Sequence, residues 1–514
     1  MLISLSINTT GSIAVKLFVI SDLHLGGSPH KVTDNGVVGS QICHSYAELT
    51  HFIDWVGAQQ KGEGTVELVI NGDIVDFLME EDSSSGHEIE RVENIKPWLP
   101  DEQLIIEKLA RIVTRTRKGN SRGPFEAMAD LLASNQCLTF VLGNHDIELS
   151  LPKVREYLER SVLKSSMNGR FKFLYDGEAY VRGDLLIEHG NRYDRWNVVD
   201  HSALRQERSM LSRGFGPEMM QLEYAQFKPP AGSIMVTEVI NPIKRKYRFV
   251  DLLKPEIKAA VPILLALHPK IEHVLSAITP AYIAKSTTFL KPGVPEQAGQ
   301  LSFTNANTPF DVRSSLELAL GVDDAELFSV SSVSGSQLGV AESWDEIKRL
   351  GGHISNWLED DDNLLKKGAT RTRNKLLHKA LNAWKGAFAL DRHSESSEYL
   401  EALNRIAETK RFSCVILGHT HLPKQIMISN DMNYINTGTW ADTMRIPERV
   451  LAGSEISEEF QEFIENLSNN KIDDYIDRCL TYAEVELEVV GEQERIITSR
   501  LCEYTVEAKN AEGF

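Results

Sequence analysis

The chain has 514 residues, which is too long for one compact core and predicts two to four domains. Hydrophobic residues make up 42% and charged residues 25%, the ordinary composition of a soluble globular protein. The net charge of −18 argues against broad, nonspecific binding to nucleic acid, because phosphate contacts require a basic surface, but a local basic pocket stays compatible with it.

The amino-terminal segment lacks the basic start and unbroken apolar run of a signal peptide, and predicts a strand, a turn and a second strand. No uncharged apolar stretch is long enough to span a bilayer. The five cysteines show no CxxC spacing, and Cys137 and Cys414 lie in apolar runs, where a small buried side chain is a better interpretation than a disulfide or a nucleophile. These features predict a cytoplasmic protein in a reducing compartment.

Short apolar runs and helical patterns alternate along the chain up to about residue 200. Strands are predicted at 13–20, 66–70, 137–142, 171–175, 178–182 and 184–188, and helices at 44–58, 101–116 and 125–134. Helical patterns and Ser/Gly-rich stretches follow. Strands are predicted again at 411–417, 424–428, 433–437, 481–490 and 494–504, with a helix-rich stretch at 455–469. We interpret 1–200 and 405–514 as two parts of one domain of the α/β (α+β) class, and 201–404 as a mainly helical insertion or cap.

Five polar motifs each follow the end of a predicted strand, where α/β sheets build their sites. They are DLH at 22–24, GD at 72–73, GNHD at 143–146, HG at 189–190 and GHTH at 418–421. Residues two apart on an extended segment point the same way, so Asp22 with His24, and His419 with His421, can face one site. Singly, each motif is typical of a capped turn or a hydrogen-bonded histidine. Together they predict a metal site of imidazole and oxygen ligands, which suits Mn²⁺, Fe, Zn²⁺, Co²⁺ or Ni²⁺ better than Ca²⁺ or a structural zinc.

The series DLHLGG, GDIVD, GNHD, HG and GHTH resembles the calcineurin-like metallophosphoesterases over about residues 15–200 and 405–445. The resemblance implies a four-layer β-sandwich flanked by helices and two divalent metals, with manganese expected. It also implies hydrolysis of a phosphate ester by metal-activated water. The implied ligands are Asp22, His24 and His421 for the first metal, Asn144, His189 and His419 for the second, and Asp73 between them. His145 is implied as the catalytic residue that faces the substrate and Asp76 as its orienting partner, although a turn or helix-start carboxylate is the alternative for Asp76.

Departures from related families narrow the subclass. Protein serine/threonine phosphatases carry Arg-Gly where Phe77 and Leu78 stand, and Glu where Asp146 follows the histidine. The segments SDLHLGG and HGNRYD more closely resemble the bacterial UDP-2,3-diacylglucosamine pyrophosphatase-like group. Arg192 and Arg195 are candidate substrate-binding residues for phosphate, with surface arginines as an equal alternative. The expected substrate is a phosphodiester, a pyrophosphate or a phosphomonoester.

The insertion leaves other functions open. Basic residues at 244–248 precede an apolar run at 259–284 that Pro262, Pro269 and Pro280 interrupt. A buried helical hairpin is the default interpretation, and a lid over a lipid-bearing substrate or a membrane interface is the alternative. The basic amphipathic helix predicted at 364–390 either packs one face or guides nucleic acid to the metals. A nuclease of the same superfamily, or a non-catalytic scaffold that binds a protein partner through the insertion, are the competing functions.

Overall fold

The computed structural model describes residues 13–29, 31–33, 36–60, 65–80, 95–117, 122–165, 170–194, 197–216, 227–244, 248–253, 392–451, 457–490 and 493–506. The predicted apolar run at 259–284 and the predicted basic helix at 364–390 lie outside these residues, as does Arg195. Their interpretations stay predictions.

The strands and helices are numbered in chain order within the described residues. The strands are β1 Ile13–Ile20, β2 Lys31–Thr33, β3 Gly36–Val38, β4 Thr65–Asn71, β5 Cys137–Val141, β6 Phe171–Leu174, β7 Tyr180–Arg182, β8 Leu185–Ile187, β9 Cys414–Leu417, β10 Lys424–Ser429, β11 Met432–Asn436, β12 Thr443–Met444, β13 Ile476–Asp477, β14 Thr481–Val490 and β15 Gln493–Glu503. The helices are α1 Tyr46–Gly57, α2 Glu102–Arg115, α3 Pro124–Ala133, α4 Pro152–Tyr157, α5 His201–Leu211, α6 Ala231–Met235, α7 Asn241–Lys244, α8 Phe249–Leu252, α9 Ser397–Glu408, α10 Glu448–Leu451 and α11 Glu458–Ser468. Every strand and helix predicted between 13–200 and 411–504 is confirmed, with bounds that differ by a few residues.

Two mixed sheets are built jointly by the parts of the chain before and after the predicted insertion. The six-stranded sheet has the order β15–β14–β1–β4–β5–β6, in which β1, β4, β5 and β6 are parallel. The five-stranded sheet has the order β10–β11–β9–β8–β7, in which β11, β9 and β8 are parallel. Because β14 pairs with β1 and β9 pairs with β8, the two parts share both sheets.

Alternation along the strands separates the cores of the molecule. In β1, Val15, Leu17 and Val19 face the five-stranded sheet and join the core between the two sheets. Phe18 and Ile20 face the opposite way, into the larger core under α1, α2 and α3. The two faces of β1 thus pack against two different layers of the fold.

The outer face of the five-stranded sheet is covered by α9. Val415 and Leu417 of β9 pack there with Leu403 of α9, whereas Cys414 and Ile416 face the core between the sheets. Helices, two stacked sheets and a further helix therefore form successive layers. This arrangement confirms the expected α/β fold with its sandwich of sheets flanked by helices.

The described part of 201–404 packs onto the same framework. Leu204 of α5 and Phe249 and Val250 of α8 belong to the core under the six-stranded sheet. The Asn241 side-chain amide donates to the carbonyl of Leu78 at 2.9 Å, which ties α7 to the segment after β4. The domain bounds at 200 and 404 stay a prediction. In the described part of the chain, no helix has both the length and the apolar character needed to cross a membrane.

Candidate metal centre

The predicted ligand residues lie at the carboxyl ends of parallel strands, which meet at one edge of the sandwich. Asp22 follows β1, Asp73 follows β4 and Asn144 follows β5 in the six-stranded sheet. His189 follows β8 and His419 follows β9 in the five-stranded sheet. Parallel neighbours end on the same side of a sheet, so each sheet brings its own polar loops together.

One cluster comprises Asp22, His24 and His421, whose ligand atoms all lie within 4.8 Å of one another. The Nε2 atoms of His24 and His421 are 2.9 Å apart, and His421 Nε2 is 3.3 Å from Asp22 Oδ1. All three side chains are buried. These are the three residues that the resemblance implies for the first metal.

A second cluster comprises Asp73, His189 and His419, again with ligand atoms within 4.8 Å. His189 Nε2 lies 3.1 Å from Asp73 Oδ2, and the same carboxylate oxygen is 3.9 Å from His24 Nε2. Asp73 therefore lies between the two clusters, in the position that a bridging ligand needs.

Hydrogen bonds on the far side of two imidazoles decide which nitrogen faces the site. His24 Nδ1 lies 3.0 Å from Asp76 Oδ2, and His189 Nδ1 lies 2.8 Å from the carbonyl oxygen of Asn71. A neutral ring that donates from Nδ1 carries its lone pair on Nε2, and that pairing with an acceptor is typical of metal-bound histidine. Both rings thus present Nε2 to their clusters.

The ligand loops have unusual backbone conformations. Of the nine described non-glycine residues with positive φ, five are predicted ligands: Asp22, His24, Asp73, His419 and His421, at φ 45–70°. Such conformations cost on the order of 1–3 kcal/mol each and concentrate at functional sites. The expectation that 22–24 and 419–421 are extended is therefore wrong. Left-handed residues, not strand alternation, aim these side chains.

Three glycines of the motifs provide the surfaces on which ligand side chains rest. A Cβ added at Gly72 would lie 2.3 Å from His189 Nδ1, and one at Gly143 would lie 2.0 Å from Asp73 Oδ1. At Gly418 it would lie 2.6 Å from Asp22 Oδ2. Glycine is therefore required here because the ligands approach the backbone, in addition to φ of 82° at Gly72.

The charges of the site favour a cation. Burial alone would raise the pKa of Asp22, but His421 and His189 outweigh it and lower that pKa to about 2. Burial likewise opposes ionisation of Asp73, whose pKa is nevertheless held well below its usual value by His189, His145 and His24. Burial lowers the pKa of His189, but Asp73 and Asp22 raise it to about 10. Buried carboxylates that stabilise positive charge this strongly also attract metal cations.

Asp146 is buried under the loop that carries Asn144. Its carboxylate accepts hydrogen bonds from the backbone amides of Ile74 at 2.7 Å and Gly143 at 2.8 Å, and so ties two ligand loops together. Burial and the charge of Asp73 raise the pKa of Asp146 to about 8. The aspartate that follows GNH here is thus a structural link between loops.

His145 borders the clusters without joining either predicted ligand set. Its Nδ1 lies 3.1 Å from Asp76 Oδ2, the oxygen that also contacts His24 Nδ1. Burial alone would raise the pKa of Asp76, but His145 and His24 hold it below its usual range. The backbone amide of His145 donates to Asp73 Oδ1 at 2.8 Å. The side chain of His145 is 17% exposed, so it can reach a molecule bound at the surface of the site.

Two further polar residues in the segment after His189 border the second cluster, although the sequence draws attention first to the arginines of that segment. Asp194 Oδ2 lies 3.0 Å from His419 Nε2, and Asn197 contacts both Asp194 and Asn144. The polar residues of NRYDRWN were the available signal. Arg192 instead forms an ion pair with Glu188 at 3.0 Å and donates to the Gly177 carbonyl. Its phosphate contact stays a prediction.

The donor set fits divalent metals by its chemistry and by one unsatisfied atom. Asn144 Oδ1, the amide oxygen of a predicted ligand, is buried and accepts no hydrogen bond from the described residues. A buried carbonyl oxygen without a partner is costly unless something else occupies that position. Imidazole, carboxylate and amide oxygen together form the donor set that Mn²⁺, Fe, Zn²⁺, Co²⁺ and Ni²⁺ share.

Comparison with known proteins agrees with this geometry. Residues 15–216 match the family described as calcineurin-like phosphoesterase. Together with the fold and the side-chain clusters, this match supports the superfamily of metallophosphoesterases. No curated protein matches the chain in a sequence search. His419 and His421 lie outside the matched residues, yet the structure brings them to the same clusters.

Proposed function

We propose that the chain is a dinuclear metal-dependent phosphoesterase. The observation that carries the proposal is the pair of largely buried clusters joined through Asp73, whose Oδ2 lies 3.1 Å from His189 Nε2 and 3.9 Å from His24 Nε2. A structural metal site has no need of a second cluster around a shared carboxylate, whereas two adjacent metals clamp both oxygens of an in-line displacement.

Each cluster supplies its own ligands in this proposal. The first metal would be held by Asp22, His24 and His421, the second by Asn144, His189 and His419, and Asp73 would serve both. Two divalent cations, for which manganese is our first choice, would make a water molecule nucleophilic near neutral pH and neutralise charge on the phosphoryl oxygens. The buried carboxylates keep the ligand set anionic and therefore selective for cations over neutral ligands.

His145 acts on the substrate side. Its Nδ1 is held by Asp76 at 3.1 Å, so that Nε2 is the nitrogen left for the substrate. A second proton on the ring, at Nε2, can pass to the leaving-group oxygen or stabilise charge on the phosphoryl group. Asp76 stabilises the doubly protonated ring, because the carboxylate is ionised and buried beside it.

We infer that the substrate is a phosphodiester, a pyrophosphate or a phosphomonoester. The motifs SDLHLGG and HGNRYD favour a pyrophosphate linkage, through their resemblance to the UDP-2,3-diacylglucosamine pyrophosphatase-like group. Specificity resides in the loops and the insertion around a site and not in the fold. The substrate is therefore to be identified by assay.

A substrate panel tests the proposal. Metal-stripped protein would be assayed with bis-p-nitrophenyl phosphate, p-nitrophenyl phosphate, a nucleoside diphosphate sugar and DNA, each with and without Mn²⁺. We expect Mn²⁺-dependent hydrolysis of at least one of the three small phosphate esters. Asp73→Asn should abolish it, and Asp431→Asn, an exposed aspartate in the turn between β10 and β11, should not.

Two outcomes of the panel would exclude a small phosphate ester as the substrate, and the second of them would contradict the proposed hydrolysis itself. Hydrolysis of DNA alone would indicate the nuclease alternative. Absence of hydrolysis of every substrate by protein that binds two metals would indicate the non-catalytic scaffold.

A further inference from the structure

We propose that Asp194 and Asn197 are positioning residues that present the correct atoms of His419 and Asn144 to the second metal. The proposal rests on the dinuclear function proposed above and deepens it at one of its two metal positions. Neither residue belongs to the implied ligand set, and both come from the segment that follows His189.

Asp194 fixes the tautomer of the His419 imidazole. Asp194 Oδ2 lies 3.0 Å from His419 Nε2 and accepts the proton of that nitrogen. In the neutral ring the lone pair is then on Nδ1, so His419 has only one nitrogen to offer a cation. Asp76 does the same for His24, at the same distance of 3.0 Å but through Nδ1. Each cluster thus contains one imidazole that is held by a buried or half-buried carboxylate.

Asn197 fixes the orientation of the Asn144 side-chain amide. Asn197 Oδ1 accepts from Asn144 Nδ2 at 3.4 Å, and this contact assigns the nitrogen of Asn144 to the outer side. The oxygen Oδ1 of Asn144 is then the atom left facing inwards, buried and without a hydrogen bond in the described structure. Only the oxygen of an amide side chain binds divalent cations, so its orientation decides whether Asn144 is a ligand.

The two residues are held as one unit. Asn197 Nδ2 donates to Asp194 Oδ2 at 2.7 Å, and the backbone amide of Asn197 donates to the Asp194 carbonyl at 3.0 Å. The Asn197 carbonyl accepts from Asn191 Nδ2 at 2.8 Å, which anchors the turn to the loop after His189. Displacement of either residue therefore disturbs both His419 and Asn144, and both belong to the same metal position.

Metal binding measured by calorimetry tests the pair without relying on turnover. Metal-stripped wild type, Asp194→Ala and Asn197→Ala would each be titrated with Mn²⁺, and bound metal would be counted by mass spectrometry. We expect two equivalents in wild type, and one equivalent weakened about 10–100-fold in each variant with the other unchanged. Asp194→Asn keeps an oxygen acceptor, so its affinity for the weakened equivalent of Mn²⁺ should lie between those of wild type and Asp194→Ala. Asp431→Ala, an exposed turn residue, is the control.

The outcomes separate this proposal from the proposed function. Binding of fewer than two equivalents by wild type would contradict the dinuclear function, and with it the positioning role of Asp194 and Asn197. If wild type binds two equivalents and both affinities are unchanged in Asp194→Ala and Asn197→Ala, only the positioning role of Asp194 and Asn197 would be contradicted. Equal weakening of both equivalents, or equal effects of Asp194→Asn and Asp194→Ala, would indicate a general structural role and would also overturn it.

Discussion

Gly143 shows how closely the backbone supports a ligand. A Cβ at this position would lie 2.0 Å from Asp73 Oδ1 and 2.3 Å from the Asp73 backbone nitrogen, so neither side chain nor backbone could stay in place. We therefore predict that Gly143→Ala weakens Mn²⁺ binding at both positions, because Asp73 is the ligand that we propose both metals share. Calorimetric titration of the stripped protein measures this.

The matched control for that substitution is Gly216→Ala, because no atom of the described residues lies within 4 Å of a Cβ added at Gly216. Unchanged metal affinity in Gly143→Ala would mean that Asp73 is not a ligand of either metal.

His145 separates catalysis from metal binding. Its backbone amide, which holds Asp73 Oδ1 at 2.8 Å, survives in His145→Ala, and only the ring is lost. We predict two bound equivalents of Mn²⁺ and a fall in turnover of about 10²–10⁴-fold, the usual contribution of a general acid. Steady-state kinetics on bis-p-nitrophenyl phosphate and a metal count on the same preparation check this. Loss of metal together with turnover would assign the ring to metal binding.

The residues that gather at the candidate site could be predicted from the sequence, but the contacts that hold them there could not. Motif order was enough to name Asp22, Asp73 and His189. Neither the left-handed φ values nor the tautomers follow from residue type, because they depend on contacts with distant segments. The acceptor for His189 Nδ1 is the carbonyl of Asn71, more than a hundred positions away, and a carbonyl has no signature in a sequence.

At the scale of elements, the segment after β11 supports both ligand loops. Asn436 donates to the carbonyl of Gly418 at 2.8 Å and to Thr420 Oγ1 at 3.1 Å. Thr439 Oγ1 donates to the carbonyl of Asp22 at 2.6 Å, and the Trp440 backbone amide donates to the same carbonyl at 3.2 Å. Residues 436–440 therefore link the loop after β1 to the loop after β9, across the two sheets.

Thr439→Val tests this link, because valine keeps the shape of the side chain and removes the hydroxyl. The Thr439 hydroxyl also accepts from the backbone amide of Ala441 at 3.0 Å, so two hydrogen bonds are lost. We predict a loss of stability of about 2 kcal/mol, since each bond contributes about 1 kcal/mol, together with weaker binding of Mn²⁺ at the first position. The control is Thr443→Val, because the Thr443 hydroxyl donates to the Asp477 carbonyl at 3.0 Å and contacts no ligand loop. A loss of stability without a change in metal affinity would show that the link does not position Asp22.

The existence of the elements was predictable, and their neighbours were not. Alternation in Ile13–Ile20 marks a strand whose two faces are both buried, which places β1 inside a sheet. The pairing of β1 with β14 joins residues more than four hundred positions apart. No local pattern encodes that pairing, since the compatible faces of many strands are equally apolar.

At the scale of the whole molecule, α7 contacts the segment after β4 through Lys244, which also forms a buried ion pair within the described part of 201–404. Lys244 of α7 pairs with Asp251 of α8, each side chain 6% exposed, and Lys244 Nζ also contacts Met79 Sδ at 3.2 Å. Met79 follows the segment that carries Asp73 and Asp76. Helix α7 thus contacts the segment that supports the candidate site.

Removal of one member of a buried pair leaves the other charge uncompensated. We predict that Lys244→Met lowers the free energy of unfolding by about 3–5 kcal/mol. Lys471→Met, at an exposed lysine, is expected to change it by less than about 0.5 kcal/mol. Denaturant unfolding of both variants measures the difference. Equal stability of the two variants would show that the Lys244–Asp251 pair and the Lys244–Met79 contact do not stabilise the fold.

The central claim is that two metals, with Asp73 as their common ligand, catalyse the hydrolysis. The most direct measurement follows hydrolysis of bis-p-nitrophenyl phosphate while Mn²⁺ is added to stripped protein, with bound metal counted at each step. We predict no turnover in the stripped protein and turnover that rises as the second equivalent binds. Full turnover with one equivalent, or turnover that survives complete removal of metal, would contradict the account.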